Sequence, residues 1–360
     1  MEHDSRTQTK ALPLPATAAV LAAASACLLL AALTLGGCDM GQAPDGPRID
    51  HAAALEHYKQ SQNLQGSAAL KELYASVRED PNLDLAHVAI GDIHRRQGNN
   101  ELAAKAYERA CKINPYYFKP HYDLGVVYQS MAASAKTPQQ LKDYLQLACR
   151  IYLRAVTLYA NDYDANLNLS ACYFELGKYS QAEQYCKAAI ALDDSRFEAY
   201  SNLGIICDSQ GRLNESIRAY LDALERNVHQ HRIHMNLGST YMRQERYKLA
   251  IASFAAAAKE DPTAAEPYEQ TGSCHFIMND LDQAQKAYEK AIALNPRSAE
   301  GPRGLGLVLM VRFLDTGKKN ADLRDQALEC WYRSLEYKPN QPKLKELIDR
   351  YKPRYEPPKL

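Results

Sequence analysis

The pattern of small and apolar positions along this chain repeats at a fixed interval. A small residue recurs seven times in the same local sequence, and five of the six intervals between its occurrences are 34 residues, the other being 45. These positions are Gly91, Gly125, Ser170, Gly204, Gly238, Gly272 and Gly306. A period of 34 residues predicts an array of helix–turn–helix units.

Three further sets of equivalent positions, here called columns, recur at the same interval in successive units, and a proline often closes the unit. A small residue follows the glycine after 12 residues (Ala103, Ala182, Ser216, Ala250, Ala284), a larger side chain after 16 (Tyr107, Cys186, Tyr220, Phe254, Tyr288) and an alanine after 19 (Ala110, Ala189, Ala223, Ala257, Ala291). Glycine in a helix costs about 1 kcal/mol relative to alanine. Its recurrence therefore predicts close helix packing, in which we expect the glycine to face the alanines while the ring fills the flank.

These columns resemble those of the tetratricopeptide repeat family, which implies an all-α fold, a right-handed solenoid of stacked helix pairs. The resemblance divides residues 50–341 into eight units: 50–83, 84–117, 118–162, 163–196, 197–230, 231–264, 265–298 and 299–341. The first unit lacks the glycine, as expected of a cap whose outer face meets water. Residues 342–360 are predicted to form a capping helix and a tail.

Two units are longer than the rest, and both insertions are predicted to fall between the helices of a pair. In unit 118–162, Thr137 followed by Pro138 is typical of a helix N-cap and first turn, and Asn320 is placed similarly in unit 299–341. The second helices should therefore begin early and extend as long hairpins.

The overall charge argues against nucleic-acid binding. The chain has 43 basic and 43 acidic residues, so no global basic field would attract a polyanion. No phosphate loop, nucleophile elbow or C-x-x-C motif is found, and the units leave no room for a catalytic domain. We therefore predict a protein that is not an enzyme and needs no cofactor.

The first 37 residues have a different composition and are predicted to be a secretory signal. Arg6 and Lys10 precede an apolar run over residues 16–35, which ends in Leu-Gly-Gly-Cys. This ending resembles a bacterial lipobox, which implies lipidation of Cys38 and a linker over residues 38–49. The alternative is an uncleaved membrane helix, because about twenty apolar residues can span a bilayer.

The lipobox resemblance implies a place in the cell. A lipid on Cys38 would anchor the repeats to a membrane of the bacterial cell envelope, facing the periplasm or the exterior. Asp39 resembles the inner-membrane retention signal of enteric-type lipoproteins.

The family resemblance also implies a binding groove. First helices of such repeats line the concave face, and the residue two before the glycine points into it. That column contains mostly carboxamides, which offer donors and an acceptor to the backbone of an extended peptide: Asp123, Asn168, Asn202, Asn236 and Gln270. The alternative is that these side chains are simply solvated or bonded locally.

Arg232, Met235 and Phe276 are predicted on the same face, the last two as apolar anchors for a peptide. Packing against the next repeat is the alternative for them. A carboxylate clamp for a chaperone tail is excluded, because no lysine precedes the carboxamide column.

Cysteines and histidines suggest little chemistry. Beyond Cys27 and Cys38, seven cysteines lie in repeat units and are predicted to be buried small side chains, with a Cys172–Cys186 disulfide as the alternative. His229, His231 and His234 are predicted to pack at a helix start, with metal binding as the alternative. No metal site is therefore predicted.

Together these features predict a membrane-anchored scaffold that binds a protein partner. The plan resembles repeat-containing lipoproteins that assist envelope assembly, such as pilotins of type IV pili and adaptors of peptidoglycan hydrolases. A non-catalytic, substrate-presenting subunit of an envelope glycosyltransferase or protease is one alternative, and a metal carrier is another.

Overall fold

The computed structural model of the chain describes residues 49–353, which form seventeen α-helices and, within that range, no strand. The predictions for residues 1–37, for Cys38 and the linker up to residue 48, and for the tail from residue 354 lie outside the described residues. The helices are α1 (His51–Gln62), α2 (Gly66–Glu79), α3 (Asp84–Arg96), α4 (Asn100–Ile113), α5 (Phe118–Ala133), α6 (Pro138–Leu158), α7 (Tyr163–Glu175), α8 (Tyr179–Leu192), α9 (Phe197–Ser209), α10 (Leu213–Arg226), α11 (His231–Arg243), α12 (Tyr247–Glu260), α13 (Glu266–Ile277), α14 (Leu281–Leu294), α15 (Glu300–Asp315), α16 (Ala321–Tyr337) and α17 (Pro342–Tyr351).

The helices pack as consecutive pairs, and each pair packs on the next. Each of the eight units described above contains one pair, from α1–α2 to α15–α16. Each helix contacts mainly its pair partner and the nearest helix of the adjoining pair in the chain. The predicted all-α repeat solenoid is thus confirmed.

The recurring glycines make room for the ring of the paired helix. A Cβ placed on Gly204 would lie 2.5 Å from the Tyr220 ring, and one on Gly238 would lie 2.5 Å from the Phe254 ring. The expectation that the glycine faces the alanines, with the ring at the flank, was therefore wrong. The alanines of both columns are buried as well, but the ring itself excludes a side chain at the glycine.

The two long units keep this packing despite their insertions. Gly125 faces the Tyr152 ring and Gly306 faces the Trp331 ring. Ala148 and Ala327 occupy the preceding small column, each fully buried. Because the insertions lie between the paired helices, they lengthen the hairpin and leave the contact layer intact.

The fourth pair replaces both members of the glycine–ring contact. Ser170 stands where the other pairs have glycine, and Cys186 stands where they have a ring. Both are fully buried, and the Ser170 hydroxyl donates to the Ala182 carbonyl at 2.7 Å. The smaller side chain on α8 leaves the space that the serine occupies on α7.

The turn between paired helices requires a left-handed backbone. Gly98, Gly177 and Gly211 have φ between 71° and 76° there. The next two turns place Glu245 and Asn279 at φ 59° instead. A residue with a Cβ is strained in this region, glutamate more than asparagine.

Helix caps fix the start of both long second helices. The Thr137 side chain accepts from the Gln140 amide at 3.1 Å, and Pro138 occupies the first turn of α6. The Asn320 side chain accepts from the Leu323 amide at the start of α16. Leu344 and Ile348 of α17 are buried in the last apolar cluster beside Trp331, so α17 covers the end of the array.

The seven cysteines of the described residues are free thiols, so the alternative Cys172–Cys186 disulfide is absent. Over residues 49–353, no helix is both long enough and apolar enough to cross a membrane.

Candidate functional site

The first helices of successive pairs lie side by side and form one continuous surface, here called the first-helix face (α3, α5, α7, α9, α11, α13 and α15). Polar side chains connect neighbouring first helices directly. Lys119 on α5 donates to Asp92 on α3 at 3.0 Å, and Thr240 on α11 donates to Asp208 on α9 at 3.1 Å. The face is therefore a joined surface across repeats.

The tyrosines of the second helices that pack against the glycines also reach the first-helix face with their hydroxyl groups. The Tyr107 hydroxyl donates to Asp92 Oδ1 at 2.6 Å, and the Tyr152 hydroxyl donates to Gln129 Oε1 at 3.1 Å. Burial and the Asp92 hydrogen bond raise the pKa of Tyr107 well above its usual value. The ring thus packs against glycine while its hydroxyl stays protonated and bonded on the first-helix face.

Asp123 begins the predicted carboxamide column, but it belongs to an ion cluster. Its side chain is nearly buried and accepts from Lys119 Nζ at 2.6 Å, and Arg95 lies 3.9 Å away. Lys119 also binds Asp92, so two cations and two carboxylates neutralise one another. A paired carboxylate has no donor to offer a peptide, so we exclude Asp123 from the carboxamide ladder.

The four carboxamides of the column differ in how far they are already engaged. Asn168 donates to the Tyr122 hydroxyl at 3.3 Å. Asn236 lies beside the Tyr220 hydroxyl and counters the rise in pKa that burial gives that group. Asn202 and Gln270 are half-buried and form no side-chain hydrogen bond with any other described residue. Free bonding capacity is therefore greatest at Asn202 on α9 and Gln270 on α13, with the partly engaged Asn236 on α11 between them.

The column ends at α15, where Gly304 takes the carboxamide position. A Cβ on Gly304 would collide with the Tyr288 ring, and a Cβ on Gly301 would lie 3.0 Å from Ile292. This second close approach brings α15 tightly onto α14. The carboxamide column is therefore limited by the Asp123 ion cluster at α5 and by Gly304 at α15.

Of the other predicted binding residues, only Arg232 is exposed. Met235 is 7% exposed and packs with Tyr220 and Phe254 in an apolar cluster, so its role as an anchor for a peptide was wrongly predicted. Phe276 is half-buried and packs against the cluster that contains Tyr288 and Val308. Ile277, beside it, is 53% exposed and is the better apolar contact.

The three histidines between the fifth and sixth pairs each have a separate partner. His229 bonds Glu260 at 2.9 Å, His231 the Ala257 carbonyl and His234 the Val228 carbonyl. No group of three potential metal ligands lies close together in residues 49–353.

One structural role in this region was missed from the sequence. His234 reaches the carbonyl six residues before it, as His87 does to Pro81 and Asn166 to Ala160. These residues all stand four before the small-residue column, and this shared register was the available signal. They tie the start of a first helix to the loop that precedes it.

Four family models match the chain at separate segments. The model described as "TPR repeat" matches residues 91–131, and models described as "Tetratricopeptide repeat" match residues 163–196, 202–265 and 265–298. Each segment lies within the repeat array derived above.

Individual relatives are distant. The chain is 24% identical over 209 residues to RNA polymerase-associated protein CTR9 of Caenorhabditis elegans, covering 56% of this chain and 18% of that protein. It is 33% identical over 84 residues to Small glutamine-rich tetratricopeptide repeat-containing protein 2 of Saccharomyces cerevisiae, covering 23% of this chain and 24% of that protein. The chain thus spans less than a quarter of the length of either relative.

A solved structure shares the fold. It is the C-terminal part of a TPR repeat-containing protein from Cytophaga hutchinsonii, which superposes with a TM-score of 0.57 at 17% identity and covers 71% of this chain and 97% of that one.

Proposed function

The chain is a member of the tetratricopeptide repeat family, whose arrays are protein-interaction scaffolds, and we propose that it binds an extended segment of a partner protein across α9, α11 and α13. The observation that carries this proposal is the set of carboxamides at Asn202, Asn236 and Gln270. They occupy equivalent positions on three neighbouring first helices. Asn202 and Gln270 form no side-chain hydrogen bond with another described residue, and Asn236, whose amide group is engaged by the Tyr220 hydroxyl, keeps its carbonyl oxygen as an acceptor.

A peptide backbone fits this set chemically. Each peptide unit presents one donor and one acceptor, and a carboxamide can satisfy both. Neighbouring packed helices lie about 8–10 Å apart, and an extended chain advances about 3.3 Å per residue. One carboxamide would therefore meet the bound backbone at about every third residue, and the three would hold about seven residues.

Side-chain selectivity would come from the rim of the stretch. Arg232 is exposed on one side, and Ile277 is exposed near its α13 end. An acidic residue near Arg232 and an apolar one near Ile277 would complement these groups. Selectivity from two contacts is coarse, so the backbone contacts would supply most of the affinity.

Substitution of two carboxamides tests this assignment. Asn202→Ala plus Asn236→Ala should weaken capture of the partner at least tenfold, because two neighbouring bonds to the same peptide are lost, while thermal unfolding barely moves. Crosslinking pull-down from the protein's own cells measures capture. Gln146→Ala plus Gln181→Ala is the matched control, since both are exposed carboxamides on second helices. Equal capture by all three proteins would refute the site.

We further propose that this scaffold is a membrane-anchored lipoprotein that serves envelope assembly. The Leu-Gly-Gly-Cys sequence at residues 35–38 after an apolar run supports the anchor. Cys38→Ser should then leave the signal uncleaved, and the protein should stay in the membrane fraction through the apolar run over residues 16–35, without a lipid. Membrane association of the Cys38→Ser protein with the signal already removed would contradict lipidation.

A further inference from the structure

The loops that join one helix pair to the next lie along one edge of the array, here called the linking edge. It consists of the loops that precede α3, α5, α7, α9, α11, α13 and α15, together with Ile49 just before α1. The Asp50 amide donates to the Glu79 carbonyl at 3.1 Å, and Arg109 near the end of α4 donates to Asn82 at 3.0 Å. The start of α1 and the first two linking loops are therefore neighbours on this edge.

The most exposed apolar side chains of the described residues gather on the linking edge. Within residues 49–353, five large apolar side chains are more than half exposed, and four of them lie there: Ile49, Tyr116, Tyr159 and Val228. Tyr116 is the most exposed of all, at 80%. The fifth, Ile277, lies at the end of α13 on the opposite edge. Apolar groups that gather on one side of a molecule mark an interaction surface.

Three rings form a continuous part of this edge, here called the aromatic patch (Tyr116, Phe118 and Tyr159). The Phe118 and Tyr159 ring centroids are 5.7 Å apart. Arg154 lies over the Tyr116 ring, 5.8 Å from its centroid, and donates to the Pro115 carbonyl at 3.1 Å. Tyrosine has an apolar ring and a polar hydroxyl, a combination that favours the boundary between a bilayer and water. The patch therefore has the chemistry of a membrane-interface contact.

We propose that the linking edge lies on the membrane surface, with the aromatic patch inserted among the lipid headgroups. This inference rests on the proposed lipid anchor at Cys38. Residues 39–48 span at most about 35 Å when fully extended, and the chain enters the array at Ile49 on the linking edge. The opposite edge is one helix length further from the anchor, about 18 Å for α1. The edge with the exposed rings is thus the one that the anchor holds nearer to the bilayer.

The charges of this edge indicate which force would hold it on the bilayer. The linking loops around the patch, over residues 80–84, 114–118 and 159–164, contain four aspartates and no lysine or arginine. Arg109 and Arg154 reach these loops from the ends of second helices. Because cations are not in excess, anionic lipids would attract this edge little. Insertion of the rings would supply the binding, so zwitterionic phosphatidylcholine should suffice and salt should have little effect.

Quenching by brominated phosphatidylcholine tests the proposal on the full-length protein, purified from its own cells and reconstituted into vesicles. A fluorescent amino acid replaces Tyr116 in one variant. In the matched control it replaces Leu102, an exposed residue at the start of α4 on the opposite edge. Position 116 should lose most of its emission, at low and at high salt alike, and position 102 should lose none. Equal emission from both positions, or quenching at position 116 that high salt abolishes, would refute insertion of the rings.

Flotation of the same vesicles separates this inference from the anchor on which it rests. Protein that floats while position 116 stays unquenched has the anchor without the contact, which refutes the inference alone. Protein that does not float lacks the anchor, which refutes both.

A photoreactive phenylalanine at position 116 distinguishes lipid from protein in the cell. Adducts to phospholipid would support the proposal. Adducts to a protein alone would make the linking edge a protein interface and overturn it.

Discussion

The fourth helix pair predicts how the glycine–ring contact can be exchanged in another pair. In the fifth pair, Gly204 faces Tyr220, which is 2% exposed. The fourth pair has Ser170 and Cys186 at these positions. Replacing Gly204 and Tyr220 by serine and cysteine would therefore transplant an arrangement that this fold already uses.

The magnitudes follow from the packing. Gly204→Ser alone places a Cβ 2.5 Å from the Tyr220 ring, and overpacking of this kind should cost about 2 kcal/mol after the gain in helix propensity. Tyr220→Cys alone empties a buried ring site and should cost about 3–4 kcal/mol. In the double variant the serine enters that space and can donate to the Ser216 carbonyl. The double variant should thus be more stable than the sum of the two losses predicts, by about 1–2 kcal/mol.

Urea unfolding followed by circular dichroism measures all four proteins of this cycle. Unchanged m-values would show that each variant unfolds from the same compact state. If the two losses add without a coupling energy, the ring does not exclude the side chain at Gly204 and the packing account is refuted.

Two further predictions concern single residues. Glu245→Gly should stabilise the protein by about 1 kcal/mol, because glutamate is strained at φ 59° and glycine occupies the equivalent turn at Gly211. Gly211→Ala should destabilise the protein by a comparable amount. A loss of stability in Glu245→Gly would contradict the assigned turn. Burial lowers the pKa of His121, and Arg154 lowers it further. The unfolded chain therefore binds more protons than the folded one, and stability should fall as the pH drops below about 6.5. Urea midpoints measured at several pH values should show a weaker dependence of stability on pH in His121→Gln than in the wild-type protein.

The repeat array could be predicted from the sequence because its packing residues recur in register. Gly204 and Gly238 stand in the same local sequence, so one period defines every helix pair between them. Insertions hid the same columns in the long units, where Tyr152 and Trp331 follow the glycine at a different distance. Their assignment needed the structure, which shows the rings against Gly125 and Gly306.

The candidate site could be predicted only in part, because spacing gives a residue's face but not its partners. The carboxamide column lies on the first helices as the spacing predicted, yet Asp123 is paired with Lys119 and Asn168 with Tyr122. Met235 shares the period and is buried.

The scaffold account and its alternative, a substrate-presenting subunit of an envelope enzyme, differ in what the first-helix face would bind. Capture of a single structural partner would support the scaffold. Capture of many unrelated substrates together with one enzyme would support the alternative.

Photocrosslinking from the first-helix face in the protein's own cells tests the central claim most directly. A photoreactive phenylalanine replaces Asn202 in one variant and Leu221, an exposed second-helix residue, in the other. We predict a discrete partner adduct from position 202 and none from position 221. Adducts from position 221 alone would place the interaction on the second helices and contradict the account.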